Sequence, residues 1–403
     1  MSVDNDRVHR TGTLGFKSRR YSRIRRKLSI YTFGDSDHDG ADVRRRGNLF
    51  RVRFDPQSSL NRKFMHTVLV TGGAGFIGSH LVHQLIGRGD CRVVNFDKLT
   101  YAGNSEAVAD VAGDRNYTFV KADVCDVDRV ADLLKRHHCN AVIHLAAETH
   151  VDRSIAGPGE FVRTNVQGTF GVVEASKQYW SNLPADQRDV FRVVHVSTDE
   201  VYGSLGDDGA FDESSPYRPN SPYSASKAAS DHLVRAYHQT YGLPTIITHC
   251  GNNYGPWQFP EKLIPVVIRQ AVAQQPIPVY GDGTNVRDWI HVSDHCRALQ
   301  QIWRHGRPGE VYDVGGGGER SNLDIVKTVC QSVDTVLGRS EPSVDQIQFV
   351  RDRPGHDFRY AIRGEKIRSE LGWGPEVTFQ EGIRETVAWY LDHRDFLQTN
   401  PLA

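Results

Sequence analysis

The chain has 403 residues, 38% of them hydrophobic and 24% charged, which is typical of a soluble globular protein with room for a large α/β domain and a smaller one. No apolar run approaches the about 20 residues that a membrane helix needs, which excludes a transmembrane protein. The six cysteines form no CxxC pair and no zinc-like spacing, so we expect reduced thiols, no metal and a cytoplasmic location.

The first 64 residues differ in charge from the rest of the chain. The formal net charge is zero overall, but residues 1–64 hold sixteen Lys or Arg against seven Asp, a net of +9. This stretch lacks helical or strand periodicity and cannot bury enough apolar surface to offset its ordering entropy. A targeting peptide or a nucleic-acid-binding tail is the alternative, but no apolar region follows the Arg19–Arg20 pair. We expect a disordered basic extension, or an upstream stretch before Met65 that is not native, and no nucleic-acid or membrane partner.

From Met65 onward, short apolar runs alternate with amphipathic stretches. The predicted strands are 67–72, 92–97, 117–123, 141–146, 192–198 and 244–250. The predicted helices are Phe76–Arg88, Val127–His137, Phe161–Tyr179 and Ser221–Tyr241. Nearly continuous apolar strands joined by helices predict a doubly wound parallel α/β sheet, a Rossmann fold, over residues 65–250.

The pattern becomes less regular after residue 250, with more Pro and Gly. The segments "PIPVYGDG", "RDWIHVSDH" and "VYDVGGGGE" predict short strands and turns, and helices are predicted at 262–274, 293–305, 321–338 and 379–393. We expect residues 251–395 to form a smaller C-terminal α/β domain that binds the substrate and is interleaved with the first domain.

A glycine-rich turn indicates a dinucleotide site. Gly72, Gly75 and Gly78 follow the first predicted strand and open the first predicted helix, whose N–H groups can face a pyrophosphate. Asp97 ends the second strand, where a carboxylate accepts hydrogen bonds from ribose hydroxyls and repels a 2′-phosphate, so NAD is predicted rather than NADP. Asp123 ends the third strand and could meet the adenine edge. The alternatives are a tight structural turn for the glycines and a helix N-cap for Asp123.

Tyr223 and Lys227 stand four residues apart at the start of a predicted helix, and so on one face. A nearby ammonium, helped by a positively charged nicotinamide, favours the phenolate and makes Tyr223 a base usable near neutrality. The alternative is an unrelated surface Tyr and Lys.

Asp199 and Glu200 follow Thr198 at the end of the fifth predicted strand. Two adjacent carboxylates in a closed site raise one pKa, so one group can remain protonated and act as the acid while the other acts as the base. The alternative is an N-cap and first-turn Glu of a short helix.

Together these motifs resemble the extended short-chain dehydrogenase/reductase family, and within it the NAD-dependent nucleotide-sugar 4,6-dehydratases. The resemblance runs from Met65 to about residue 395 through "TGGAGFIGSH", "NFDKLTYAGN", "HLAAETHVDRSI", "VSTDEVYG", "SPYSASKAASDHLVRAY", "GNNYGPWQFPEKLIP", "NVRDWIHVSDHCRAL" and "RDRPGHDFRYAI". Related epimerases and decarboxylases share the glycine loop and the Tyr–Lys pair but usually lack the Asp-Glu pair. A non-catalytic NAD-binding regulator would be expected to lose these side chains.

The resemblance implies which residues bind each ligand. Besides the three glycines, the implied NAD-binding residues are Phe76, Ile77, Asp97, Lys98, Leu99, Thr100, Asp123, Val124, Leu145, Ala146, Ala147, Thr164, Tyr223, Lys227 and Asn253. The implied nucleotide-sugar-binding residues are Thr149, Thr198, Asn252, Lys262, Leu263, Pro278, Tyr280, Arg287, Asn322, Asp352, Arg353 and His356. The guanidinium groups of Arg287 and Arg353 suit a diphosphate.

The resemblance also implies a redox-neutral lyase of deoxysugar biosynthesis, working as a homodimer. Tyr223 would deprotonate the sugar C4 hydroxyl, which Thr198 orients, while C4 gives its hydride to NAD. Glu200 would remove the C5 hydrogen, and a protonated Asp199 would donate to the departing C6 hydroxyl. The hydride would then return to C6, so that NAD is regenerated in place.

Overall fold

The apolar runs before and after the glycine-rich turn pair as a seven-stranded parallel sheet in the computed structural model, which describes residues 65–399. Its strands are β1 (His66–Thr71), β2 (Cys91–Asp97), β3 (Tyr117–Lys121), β4 (Ala141–His144), β5 (Arg192–Val196), β6 (Thr245–Cys250) and, later in the chain, β10 (Val311–Val314). All described residues belong to one compact unit. The predicted extension 1–64 lies outside the described residues.

The strand order in this sheet is β10-β6-β5-β4-β1-β2-β3. The chain runs outward from β1 to β3, returns to β4 beside β1, and then continues outward in the opposite direction. A crevice therefore opens between the carboxyl ends of β1 and β4, which is where open parallel sheets bind ligands. The predicted doubly wound Rossmann architecture is confirmed.

Helices cover both faces of the sheet. The longer helices are α1 (Phe76–Arg88), α2 (Val127–His137), α5 (Thr169–Ser181), α7 (Pro222–Tyr241), α8 (Leu263–Ala273), α9 (Val292–His305), α10 (Asn322–Leu337) and α12 (Phe379–Asp392). Leu81 of α1 and Leu299 of α9 are buried against one face, while Leu134, Val172 and Val234 of α2, α5 and α7 are buried against the other. Because both faces are covered, the strands read as nearly continuous apolar runs.

The start of α7 is set by local sequence. Ser221 is the N-cap, and its side chain and that of Ser224 satisfy each other's backbone N–H groups in a capping box. Pro222 occupies the first helical position, where its missing N–H costs no hydrogen bond. Tyr223 is thereby fixed in the first turn, next to the carboxyl end of the sheet.

The helix predicted as Phe161–Tyr179 differs from the structure. A short helix already begins at Pro158, and the turns Val162–Gly168 are π-helical before α5 continues. Within the π-helical turns, Asn165 is fully buried and its side chain both accepts from and donates to the backbone of Glu148. The wider turn thus places an amide that fastens the segment after β4, which a regular 3.6-residue pattern does not predict.

The C-terminal part contains two small sheets. They consist of β7 (Asn252–Tyr254), β9 (Val286–His291) and β11 (Glu319–Ser321), and of the parallel pair β8 (Ile277–Tyr280) and β12 (Ile347–Val350). Ile268, Val329 and Val387 of α8, α10 and α12 pack in a separate apolar cluster. The four helices predicted here are present with ends that agree to one residue. The domain boundary at residue 250 stays a prediction; β10, although beyond it, belongs to the large sheet.

Several short elements were not predicted from the sequence, because one or two helical turns are too short to show a repeat of apolar residues. They are the helices α3 (Val151–Ala156), α4 (Pro158–Phe161), α6 (Ala185–Val190), α11 (Glu365–Leu371) and α13 (Arg394–Leu397), and the 3₁₀ segments Ser105–Val111, Asp199–Tyr202 and Ser343–Gln346. Over residues 65–399, no helix is long and apolar enough to cross a membrane.

Candidate active site

The carboxyl ends of β1, β2, β4, β5 and β6 open into one cavity of about 320 Å³, a volume suited to a small-molecule site. The predicted residues that line it are Gly72, Gly75, Phe76, Ile77, Gly78, Asp97, Lys98, Thr100, Asp123, Val124, Leu145, Ala146, Ala147, Thr149, Thr164, Thr198, Asp199, Glu200, Tyr223, Lys227, Asn252, Asn253 and Lys262. Among the described residues, those predicted for the site but outside this wall are Leu99, Leu263, Pro278, Tyr280, Arg287, Asn322, Asp352, Arg353 and His356.

The glycine loop leaves its backbone open to a ligand. Gly72 has φ +72°, and a Cβ there would come within 2.7 Å of the Ala146 nitrogen. A Cβ on Gly78 would lie 2.0 Å from the Gly72 oxygen, so only glycine allows this close packing. The N-cap of α1 is Gly75, which has no side chain to cap the helix. Free N–H groups at a helix N-terminus fit a pyrophosphate.

Asp97 is fixed at the end of β2 by backbone donors. The Ala74 and Leu99 N–H groups donate to its two carboxylate oxygens at 2.9 and 2.7 Å. Burial raises its pKa, and these hydrogen bonds oppose the rise. The carboxylate is therefore held in one orientation at the cavity wall.

Asp123 does not cap α2; the cap is Asp126, whose side chain accepts from the Arg129 N–H. The N-cap alternative for Asp123 is thus wrong. Its carboxylate instead pairs with Lys98 at 2.8 Å and Arg163 at 3.2 Å on the cavity rim. Its predicted contact with adenine stays a prediction.

Tyr223 and Lys227 are both buried in the cavity wall. The Lys227 ammonium donates to the Val196 carbonyl oxygen at 2.8 Å. Burial and then the negative charge of Glu200 hold the pKa of Tyr223 well above 10, although a hydrogen bond with Thr198 opposes them. The expected fall in this pKa is therefore not produced by the protein groups alone.

The Asp-Glu pair begins the 3₁₀ segment after β5, so the short helix considered as an alternative does exist. Its N-cap, however, is Thr198, whose hydroxyl accepts from the Glu200 N–H at 3.3 Å. Capping therefore does not use either carboxyl group, and both can face the cavity.

Asp199 is 1% exposed. Its Oδ1 accepts from the Thr198 hydroxyl at 3.3 Å, and its Oδ2 is buried without a partner among the described residues. Burial, and then the charge of Glu200, raise its pKa well above the ordinary value. The protonated form of Asp199 is consequently favoured relative to that of an exposed Asp, and one of its oxygens is available to a ligand.

Three cations surround Glu200. Burial raises the pKa of Glu200, while the positive charges of Arg353, Arg287 and Lys262 lower it. The two adjacent carboxyl groups therefore have different surroundings: only Glu200 has cations as its leading electrostatic neighbours, and it is the group favoured to ionise.

Arg287 and Arg353 differ in how many donors they have left for a diphosphate. The buried Arg287 guanidinium donates to the carbonyl oxygens of Val286, Asp357 and Phe358. Arg353 pairs with Asp152 at 3.5 Å, and its Nε is buried without a partner in the part of the chain that is described. Their diphosphate-binding roles stay predictions, and Arg353 has the clearer spare donor.

A buried ionic network behind the site was missed by sequence reasoning. The His249 ring lies 3.2 Å from Asp231 and 3.0 Å from Asp313. Asp231 also accepts from Ser197, and Asp313 from Tyr202. Burial lowers the pKa of His249, but hydrogen bonds to the two carboxylates raise it to about 9. The network thereby holds both ends of the turn that carries the Asp-Glu pair.

Other side chains of the cavity wall were also missed. They include Glu148, Ser197, Cys250, Gln258, Phe259 and Glu261. Cys250 ends the sixth strand, and Glu261 precedes Lys262 in a segment already singled out, so position in the chain was the available signal. In residues 65–399, no group of three or more His, Cys, Asp or Glu side chains is arranged to hold a metal ion.

Comparison with known proteins assigns the family. The GDP-mannose 4,6 dehydratase family model matches residues 69–386, and the chain belongs to this family. The resemblance to extended short-chain dehydrogenase/reductases that the motifs indicated is confirmed.

Individual proteins and solved structures are also similar to this chain. The dTDP-glucose 4,6-dehydratase of Xanthomonas campestris pv. campestris (strain B100) is 56% identical over 336 residues, 83% of this chain and 95% of the relative. A crystal structure of the Streptomyces venezuelae dTDP-glucose 4,6-dehydratase with NAD bound matches with a TM-score of 0.75 at 46% identity, covering 82% of this chain and 99% of the other. A UDP-glucose 4-epimerase from Thermotoga maritima matches at 26% identity with a TM-score of 0.71, over 81% and 99% of the two chains.

His249 makes stability depend on pH. Its pKa rises from about 6.5 in the unfolded chain to about 9 in the folded protein. The stabilisation, on the order of 3 kcal/mol, is complete below about pH 6.5 and is lost as the pH rises through about 9. Denaturant titrations of the wild type and His249→Gln should therefore differ most at about pH 6 and much less at about pH 10. An equal difference at both pH values would contradict a buried His249 cation.

Proposed function

We propose that this chain is a dTDP-glucose 4,6-dehydratase, a lyase that converts dTDP-glucose into dTDP-4-keto-6-deoxyglucose and water with a retained NAD. The observation that carries the proposal is the Asp199–Glu200 pair, one carboxyl group buried and the other half-buried, which shares one cavity with Tyr223 and the glycine loop. Relatives at 52–56% identity that carry this enzyme's name support the same reaction.

The carboxyl pair distinguishes this reaction from its nearest alternatives. An epimerase acting at C4 needs a base for one hydroxyl, but it has no leaving group to protonate. A non-catalytic NAD-binding regulator needs neither the base nor the acid. A protonated Asp199 beside an ionisable Glu200 supplies an acid and a base together, as an elimination requires.

The residues present fit NAD. The open N-terminus of α1 suits the pyrophosphate, and Asp97 suits the adenosine ribose hydroxyls. When bound, NAD supplies a hydride acceptor that later returns the same hydride to the sugar, so no external oxidant is required. Lys98 and Asp123, joined by an ion pair, would form the rim of this site.

Tyr223 would remove the proton of the sugar C4 hydroxyl. Since burial and Glu200 keep its phenol protonated in the protein alone, it becomes a base only when positive charge is added nearby. Lys227 supplies one ammonium behind the site. Thr198 would orient the C4 hydroxyl, because its side chain hydrogen-bonds with Tyr223.

Glu200 would take the C5 proton, and Asp199 would give its proton to the departing C6 hydroxyl, so one molecule of water leaves. Glu200 then returns its proton to C5. At the end, Tyr223 holds one proton too many and Asp199 lacks one. Thr198, whose hydroxyl donates to Asp199 and whose side chain lowers the pKa of Tyr223, would pass that proton from Tyr223 to Asp199 and so reset the site.

We further propose a cytoplasmic homodimer. Val162 and Phe170, eight residues apart on one helical segment, are 55% and 40% exposed, which is unusual for large apolar side chains and suits a contact with a second copy. All six cysteines are free thiols, as in proteins of a reducing compartment.

The purified protein should turn dTDP-glucose over without added cofactor. The product is followed by the alkaline absorbance of a 4-keto-6-deoxy sugar, and UDP-glucose is run in parallel. We expect product from dTDP-glucose and much less from UDP-glucose. No product from either sugar, even with NAD supplied, would refute the proposed function.

Glu200→Gln and Tyr223→Phe should stop the reaction at different points. Glu200→Gln removes the base for C5 but keeps the one for C4, so reduced cofactor should accumulate in a single turnover while product formation falls at least about 100-fold. Tyr223→Phe should form neither. The measurement follows the absorbance of the reduced nicotinamide and the amount of product formed in the same experiment.

Glu370→Gln, which alters a carboxylate paired with Arg307 away from the cavity, serves as the control. Wild-type turnover by Glu200→Gln would rule out its role.

A further inference from the structure

Three segments that lie far apart in sequence meet around the carboxylate of Glu261. Tyr101, in the loop after β2, donates its hydroxyl to Oε1 at 3.1 Å. Arg153, in the helix α3 after β4, donates its Nε to Oε2 at 3.1 Å. The Arg153 guanidinium also lies 3.8 Å from the centre of the Tyr101 ring. We call Tyr101, Arg153 and Glu261 the clasp.

The carboxylate at the centre of the clasp is well protected from water. The Glu261 side chain is only 6% exposed. Burial and the Glu261 charge raise the pKa of Tyr101, so its hydroxyl remains a donor. Hydrogen bonds to an ionised partner in such surroundings are stronger than neutral ones, and a guanidinium stacked on an aromatic ring adds to them. Each member thus strengthens the other two.

The clasp lies across the cavity of the candidate site. Each of its three segments contributes to the wall: Gly103 from the first, Thr149 from the second and Lys262 from the third. The Lys262 ammonium donates to the Thr149 carbonyl oxygen at 3.1 Å, which ties the second and third segments again. The Asn104 N–H donates to Ala74 at 2.9 Å, which ties the first segment to the glycine loop. The clasp therefore joins the dinucleotide side of the cavity to the side that carries Lys262.

We propose that the clasp keeps the dinucleotide in the site between turnovers, an inference that rests on the proposed function. Because the hydride returns to the sugar, the reaction gives no reason to release the cofactor after each cycle. Tyr101, Arg153 and Glu261 join the three segments through side chains, so the segments are held together less tightly when these contacts break. The three residues are positioning residues: they act on the loops of the cavity wall and take no part in proton transfer.

Glu261→Gln and Tyr101→Phe test the clasp. Loss of one hydrogen bond to a buried carboxylate should speed NAD release about tenfold in Tyr101→Phe, and loss of the charge about 100-fold in Glu261→Gln. The first measurement is the amount of NAD that the purified protein releases when it is denatured. The second is the rate at which bound NAD exchanges with labelled NAD. Turnover by Tyr101→Phe should depend on added NAD and should return to the wild-type rate when the added NAD is saturating. If Glu261→Gln fails to fold, Tyr101→Phe and Arg153→Lys carry the test.

A second Tyr–Glu–Arg group provides a matched control. The Tyr312 hydroxyl and the Arg307 guanidinium both donate to Glu370, at 2.9 and 2.5 Å, and none of the three lines the cavity. Glu370→Gln and Tyr312→Phe should keep NAD as the wild type does. Equal NAD content and exchange rate in clasp variants and wild type would overturn the proposal, and so would equal loss in the control variants.

The outcomes also separate the clasp from the proposed reaction, because NAD content and exchange are measured without a sugar. The clasp variants could lose NAD while the wild type forms no product from dTDP-glucose. That result would support the role of the clasp in NAD retention and refute the proposed reaction. If the wild type forms product but holds no NAD after purification, the reaction stands and the clasp is wrong.

Discussion

The site depends on holding two adjacent carboxyl groups, one buried and one half-buried, at the end of one strand. Two buried negative charges side by side are unfavourable, and the structure relieves them differently. Burial and the charge of Glu200 raise the pKa of Asp199, whereas the positive charges of Arg353, Arg287 and Lys262 lower the pKa of Glu200. In the proposed reaction this difference lets two chemically similar side chains act as an acid and a base, and it requires that the strand and the three cations be held together by the fold.

The fold meets this requirement by building the site from both halves of the chain. The carboxyl groups follow β5 in the middle of the large sheet, whereas all three cations come from the less regular part after residue 250. The strand β10 from that part pairs with β6 at the edge of the large sheet, and this pairing fixes the second half of the chain against the first. Behind the turn, the His249 network adds a buried cation between Asp231 and Asp313. The catalytic turn is therefore held by charge from both sides, and the clasp joins the loops above it.

The features that the sequence predicts are those with a recognisable pattern among neighbouring residues. Strands and long helices follow from periodicity, and the grouping of Gly72, Asp97 and Asp199 follows because carboxyl ends of parallel strands meet at one edge. The ligand-binding roles of Lys262 and Arg353 came only from family resemblance. The π-helical turns, the His249 network and the partners of Glu261 were not predictable, because each depends on contacts between distant segments. The lowered pKa expected for Tyr223 beside Lys227 and a nicotinamide stays a prediction, because burial and Glu200 raise this pKa in the protein alone.

The proposed reaction requires one site to oxidise, dehydrate and reduce the same sugar without losing the hydride. The most direct measurement uses dTDP-glucose with deuterium at C4 and locates the label in the product by NMR and mass spectrometry. If the residues act as proposed, deuterium moves from C4 to C6 of the same sugar. Deuterium released to water, or kept at C4, would contradict it.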